Sequence, residues 1–107
     1  MNVIEINGEK FEYSCNLRKN GLVIESKINL IFSKQQSDII REQAMKHLKR
    51  NDISDFFRCI IQLVEPQYYA TIKVEIKSLV NGELLLTGII SEESLEYVLK
   101  RIFQEAK

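Results

Sequence analysis

His47 is the only histidine in a chain that carries two cysteines, Cys15 and Cys59. These three side chains are where nucleophilic or metal chemistry would have to start. An imidazole can take a proton from a thiol, or ligate a metal, near neutral pH. On a helix its partner would sit three or four residues away, one turn along the same face. The residues at those positions are Gln43, Ala44, Arg50 and Asn51, none of them a Cys, Asp or Glu. Cys15 falls mid-strand on an apolar face and Cys59 mid-helix among apolar neighbours. Both places suit a small buried filler better than a reactive thiolate, which needs exposure and a positive setting. There is also no Gly-rich phosphate loop and no metal-ligand spacing. Glu92 and Glu93 are adjacent, so they diverge on a helix and match the positive end of its dipole. The expectation is a protein that is not an enzyme, with no catalytic residue, metal or cofactor. A small enzyme using a cysteine or His47 is the least favoured reading.

Lys34, Arg41, Lys46, Lys49 and Arg50 give the segment 34–50 a basic character that could meet a phosphate backbone. No aromatic or polar readers accompany them, and cations in a last helical turn are expected from the dipole alone. A nucleic-acid-binding regulator is therefore the alternative function. Fifteen basic and fifteen acidic residues cancel, so no overall field draws the chain to nucleic acid or to an anionic membrane. Tyr68 and Tyr69, just after the single proline, Pro66, are candidate interface anchors or a strand start packed over a sheet edge.

The elements that must position these residues are announced by three Asn-Gly pairs, Asn7-Gly8, Asn20-Gly21 and Asn81-Gly82. Each lies between apolar-rich extended stretches, and Asn-Gly favours the two-residue type I′ hairpin turn. A two-residue loop at Asn7-Gly8 pairs Ile6 with Glu9 and Ile4 with Phe11. A second at Asn20-Gly21 pairs Leu17 with Ile24, Tyr13 with Ile28 and Phe11 with Leu30. Both registers put Ile4, Ile6, Phe11, Tyr13, Cys15, Leu17, Ile24, Ile28, Leu30 and Phe32 on one face, so a three-stranded meander is expected. Ser33 with Gln36 forms a capping box that opens a helix to about Arg50. Asn51-Asp52 breaks it. A second helix follows, wet only along Asp55, Arg58, Gln62 and Glu65, and Pro66 ends it. Tyr69–Val80 alternates as a strand. Ser91 caps a last helix whose apolar stripe is Leu95, Val98, Leu99, Ile102, Phe103 and Ala106. The order is β-β-β-α-α-β-β-α. The fold class is α+β, one domain over 1–107, with three helices packed mainly on one face of an antiparallel sheet.

A two-residue loop at Asn81-Gly82 would pair Ile76 with Thr87 and Val74 with Ile89. It would turn Leu79, Leu84, Leu86 and Ile90 to the outer face beside Lys73, Glu75 and Lys77. A contiguous apolar patch there marks an interaction site. With Tyr68 and Tyr69 these leucines form the expected partner-binding surface, for a protein partner or for a second copy in a homodimer. The N-terminus lacks a basic and apolar leader and no run is long enough to span a bilayer, so a cytoplasmic protein without membrane contact is expected. The Ile, Lys and Asn content suits an AT-rich bacterial or phage genome. An immunity protein, a secretion or assembly chaperone and an inhibitor all fit that frame. In element order alone the chain is similar to the small dimeric chaperones of secretion systems, but it lacks their N-terminal helix, carries two helices mid-chain and shares no motif with them.

Overall fold

The three Asn-Gly pairs each reverse the chain, but through three different turns, and the differences decide which residues face inward. The structure is a computed structural model that describes residues 1–49, 52–64 and 72–105. Strands β1 (Asn2–Ile6), β2 (Glu9–Asn20) and β3 (Val23–Ile31) precede helices α1 (Lys34–Leu48) and α2 (Ile53–Val64). Strands β4 (Lys73–Ser78) and β5 (Leu84–Ile89) and helix α3 (Glu92–Glu105) follow. The five strands form one antiparallel sheet in the order β1-β2-β3-β5-β4. The fold is α+β with the element order read from the sequence. The expectations placed on Tyr68, Tyr69, Arg50, Asn51, Glu65, Pro66 and Ala106 lie outside the described residues.

At the first turn Asn7 and Gly8 both have positive φ, 52° and 83°, and Ile6 pairs with Glu9 as expected. At the second, the loop is Gly21-Leu22 rather than Asn20-Gly21, because Asn20 pairs with Val23. Only Gly21 is left-handed there, φ 66°, the pattern of a turn that needs glycine at its first central position. The register accordingly moves by two, to Tyr13 with Leu30, Cys15 with Ile28, Leu17 with Ser26 and Lys19 with Ile24. An even shift leaves every side chain on its expected face.

The third turn corrects the reading of the second hairpin. Its loop holds three residues, Val80-Asn81-Gly82, closed by Leu79 N–H donating to Glu83 O at 2.8 Å and Gly82 N–H donating to Leu79 O at 3.1 Å. Gly82 supplies the left-handed residue, φ 88°, that follows a turn in three-residue hairpin loops. One extra loop residue slides β5 by one, so Ile76 pairs with Leu86, Val74 with Gly88 and Ser78 with Leu84. An odd shift swaps the faces. Leu84 and Leu86 are 1% and 0% exposed and Ile90 is buried with them, while Leu79 is half-buried in the loop. Leu85, Thr87 and Ile89 take the outer face instead, half-buried among Lys73, Glu75 and Lys77.

The core lies between the sheet's inner face and the helices. Phe11 is its hub: its ring centroid lies 4.7 Å from that of Phe103 on α3 and 6.0 Å from that of Phe32, and Phe32 lies 6.2 Å from Phe57 on α2. Each helix is pinned to a strand by its first turn. On α1, Ser33 and Gln36 make the capping box, and the Gln36 side chain donates to Lys10 O at 3.0 Å. The buried Ser37 hydroxyl accepts from Leu84 N–H at 2.9 Å. On α2, Ser54 Oγ accepts from Ile76 N–H at 3.0 Å. On α3, Ser91 caps Ser94 N–H at 3.1 Å, and the Glu92 carboxylate accepts from Asn2 Nδ2 at 3.1 Å and from the Tyr13 hydroxyl. Burial, reinforced by that bond to Glu92, pushes the Tyr13 hydroxyl up to about 12.

Candidate functional site

Two features face solvent with more apolar or reactive character than an ordinary surface: a ribbon formed by the far ends of β2 and β3, and a cleft among the helices. The ribbon exists because the strands differ in length. Strand β2 has 12 residues and β3 has 9, but β1 pairs with β2 only as far as Tyr13 and β5 pairs with β3 only from Lys27 onward. Residues 14–26 therefore run on as two strands bound only to each other, apart from Ser26 O accepting from Ile90 N–H at 3.2 Å. Twelve residues at roughly 3.4 Å each reach about 37 Å, close to the 40 Å long dimension of the molecule. We call this extension the arm.

The inner face of the arm continues the core pattern past the helices that would cover it. Leu17 is 72% exposed and Ile24 69%; Leu22 at the tip is fully exposed, and Val23, 60% exposed, lies on the other face opposite Asn20. Leu17 and Ile24 share the side of the sheet expected for them, but among the described residues no element lies above them. On the other face Arg18 Nε lies 3.5 Å from Glu25 Oε2, and Asn20 Nδ2 donates to Glu25 Oε1 at 3.1 Å, so Glu25 matches Arg18.

The sheet's other margins are managed differently. Strand β4 is short, carries Lys73 and Lys77, and has its Ile76 N–H taken by Ser54 of α2. Strand β1 is only five residues long. Short strands, charges and covering elements are the usual means of blunting an edge. Among the described residues the arm has neither a short strand nor a cover.

The cleft has a volume of about 210 Å³ and is floored by Phe56, Ile60 and Ile102, with His47, Cys59 and Arg101 at its margin. The His47 ring stacks on Phe56, centroids 6.1 Å apart and 9° from parallel, and its Nε2 lies 3.2 Å from Gln43 Oε1. Cys59 is exposed and Cys15 half-buried, which corrects the expectation that both are buried fillers. In α2 the exposed side includes Cys59 and Leu63 as well as Arg58 and Gln62, because the helix presents a wider face to solvent than its polar residues imply. His47 and Cys59 thus line one cleft, as a Cys-His pair would require, but no hydrogen bond joins them. Among the described residues no group of three His, Cys, Asp or Glu is arranged to hold a metal.

The basic helix proves to be internally neutralised over its first half. Lys34 Nζ lies 2.7 Å and Arg41 Nη1 3.2 Å from Asp38 Oδ1, and Arg41 Nη2 donates to Gly82 O at 2.6 Å. The hydrogen bond from Lys34, aided by Arg41, holds the Asp38 carboxyl below its usual value. Lys46 and Lys49 stand near the helix C-terminus, where Lys49 is the left-handed cap residue.

Of the residues singled out from the sequence as a partner surface, Leu84, Leu86 and Ile90 are core and Leu79 is half-buried. They cannot offer an exposed patch. The arm was missed because Tyr69–Val80 alternates over as many residues as β2, whereas β4 and β5 have only six residues each and leave the far ends of β2 and β3 without a flanking strand. No described helix is long and apolar enough to cross a membrane. No protein-family model, curated protein or solved structure matches this chain.

Proposed function

We propose that the protein is a small interaction module that works by binding another polypeptide, and that the arm is its binding element. The observation that carries this reading is the coincidence, on one two-stranded extension, of four exposed aliphatic side chains with strand edges that have no neighbour. Leu17 and Ile24 are both more than two-thirds exposed and lie on adjacent strands of the inner face, with Leu22 at the tip and Val23 on the opposite face, and exposed aliphatic clusters mark sites of association. Open strand edges bind extended polypeptide through main-chain hydrogen bonds, with side-chain pockets supplying selectivity. An accessory role of the immunity, chaperone or inhibitor kind would use such an element to occupy a partner's surface.

Binding is favoured over catalysis because His47, the one general base candidate, is already engaged by Gln43 and stacked on Phe56. It is favoured over nucleic-acid recognition because Asp38 and the Gly82 carbonyl occupy the first two cations of the basic helix. The test is affinity capture from the native host with the wild-type chain and with Leu17→Glu and Ile24→Glu. The expected result is a partner retained by the wild type and lost from both variants, whose melting temperatures stay within a few degrees of wild type. Equal capture by all three proteins would refute the assignment to the arm.

A further inference from the structure

The direction of each backbone group on the arm follows from its turn. In a two-residue hairpin loop the flanking residues exchange both hydrogen bonds, and bonded and non-bonded pairs then alternate. Asn20–Val23, Arg18–Glu25 and Asn16–Lys27 are therefore the bonded pairs within the arm. On β3 the alternate residue Ser26 points its groups toward β5, and Ser26 O does accept from Ile90 N–H at 3.2 Å. On β2 the alternate residues Cys15, Leu17 and Lys19 point their N–H and C=O groups to the edge, where no described strand lies beside them. That opening has a fixed end. Asn2 stands opposite Tyr13, which places Met1 beside Ser14. An occupant can lie along 15–19 and on toward the tip, but it has to leave the edge at Cys15.

The charges beside this edge are lopsided. Between Ser14 and Lys27 three cations, Arg18, Lys19 and Lys27, stand against one anion, Glu25, in a chain whose charges balance overall. Arg18 is matched by Glu25 on the outer face. Lys19 and Lys27 are exposed and have no ion pair among the described residues. Lys19 shares the inner face with Leu17 and stands opposite Ile24.

We propose that this edge takes an extended acidic segment of another protein, laid antiparallel to β2, with carboxylates opposite Lys19 and Arg18 and an aliphatic side chain opposite Leu17. The inference rests on reading the arm as the binding element and names the chemistry of what it binds. In the antiparallel sense Cys15, Leu17 and Lys19 each exchange both hydrogen bonds with one residue of the segment. Directly opposed side chains lie about 4.5–5.5 Å apart across such a pair. Carboxylates there meet the Lys19 ammonium and the Arg18 guanidinium, whereas a basic segment would set like charges against each other. Read from its N-terminal end, the segment is acidic, acidic, aliphatic, polar, aliphatic, and it turns away past Cys15, short of Met1. A polypeptide is favoured over nucleic acid or anionic lipid because phosphate offers no donor to the three outward carbonyls.

The test is selection of a random linear dodecapeptide library, displayed on phage, against the immobilised whole chain. Enriched peptides are then synthesised with a fluorescent label and titrated by polarisation. They are expected to carry an acidic pair directly before alternating aliphatic residues. Binding should be lost on Leu17→Pro, which removes an outward N–H that the hairpin does not use and places proline where a strand edge tolerates it. A melting temperature near wild type confirms that this variant folds. The double variant Arg18→Glu, Lys19→Glu should bind the same peptides roughly tenfold more weakly, and selection against it should bring up basic pairs in the same place. Peptides that need Leu17 but show no acidic preference overturn the acidic occupant and leave the arm as the binding element. Peptides that bind every variant alike, or a selection that enriches nothing, overturn the proposal. Host-protein capture that is also indifferent to Leu17→Glu then takes the reading of the arm with it. Heparin retention that the double variant loses and Leu17→Pro keeps would assign the cations to a polyanion and overturn the proposal as well.

Discussion

Replacing Leu86 by alanine measures directly whether the three-residue loop has turned the second hairpin inward. Leu86 is 0% exposed and pairs with Leu30 on one side and Ile76 on the other. Removing three buried carbons forfeits about 2.4 kcal/mol of transfer free energy at ~0.8 kcal/mol each. A residual void of about 40 Å³, half the deleted volume, adds roughly 1 kcal/mol. The sum, about 3.5 kcal/mol, corresponds to a fall in Tm of about 15 °C for a domain of this length, whose unfolding entropy near 60 °C is roughly 0.22 kcal/mol/K. Leu85→Ala removes the same atoms from the outer face, where the side chain is half-buried and no cavity can form. Its cost should be about 1 kcal/mol, or about 5 °C. Differential scanning calorimetry on the two variants and wild type reads both numbers. Equal losses, or a larger loss for Leu85→Ala, would show that the leucines face the other way and that the register described here is wrong.

Three further perturbations probe the contacts that hold the sheet and helices together. Gly88 has φ 151°, and a Cβ there would lie 2.0 Å from Lys73 O and 2.7 Å from Val74 Cα on β4, so Gly88→Ala should cost about 3 kcal/mol or more by prising β4 from β5, seen as a lower urea midpoint. A near-neutral Gly88→Ala would mean that β4 does not approach so closely. Ser37→Ala deprives the buried Leu84 N–H of its acceptor and should cost about 1–3 kcal/mol by the same measurement; no change would mean that water replaces the hydroxyl. Tyr13 has its folded pKa raised to about 12 from 10.0, so its neutral form is favoured by folding. The stability it contributes is fully present below pH 10 and is lost as pH rises through 12. The stability gap between wild type and Tyr13→Phe at pH 8 should therefore close by about pH 12, and a gap of constant size would contradict the Tyr13–Glu92 contact.

The sequence showed where the chain turns more surely than which way each strand then faces. Asn-Gly places a left-handed glycine, but that glycine can close a two-residue loop as either central residue or end a three-residue one. At Asn7-Gly8 the first use holds. At Asn20-Gly21 the loop sits one residue later, and the even change in register was harmless to the face assignment. At Asn81-Gly82 the loop is odd, and Leu84, Leu86 and Ile90 moved from supposed partner surface to core. Ser33, Gln36 and Ser91 were legible because a cap needs only its own neighbours in sequence. The exposure of Leu17 and Ile24 was not, because it depends on how far β1, β5 and the helices extend alongside them, a tertiary fact. Cys59 was misread for a similar reason: α2 is covered on fewer sides than its apolar content suggests.

Amide hydrogen exchange on the arm is the most direct check that its open edge is where association happens. In dilute protein the amides of Cys15, Leu17 and Lys19 should exchange at nearly free rates, while those of Asn16 and Arg18, bonded within the hairpin, stay protected. With the polypeptide partner bound, the three odd-numbered amides should become protected and the rest of the chain should hardly change. Rapid exchange at those three positions under both conditions, with protection appearing instead around Leu85 and Ile89, would place the interaction surface on the sheet's outer face and contradict the account.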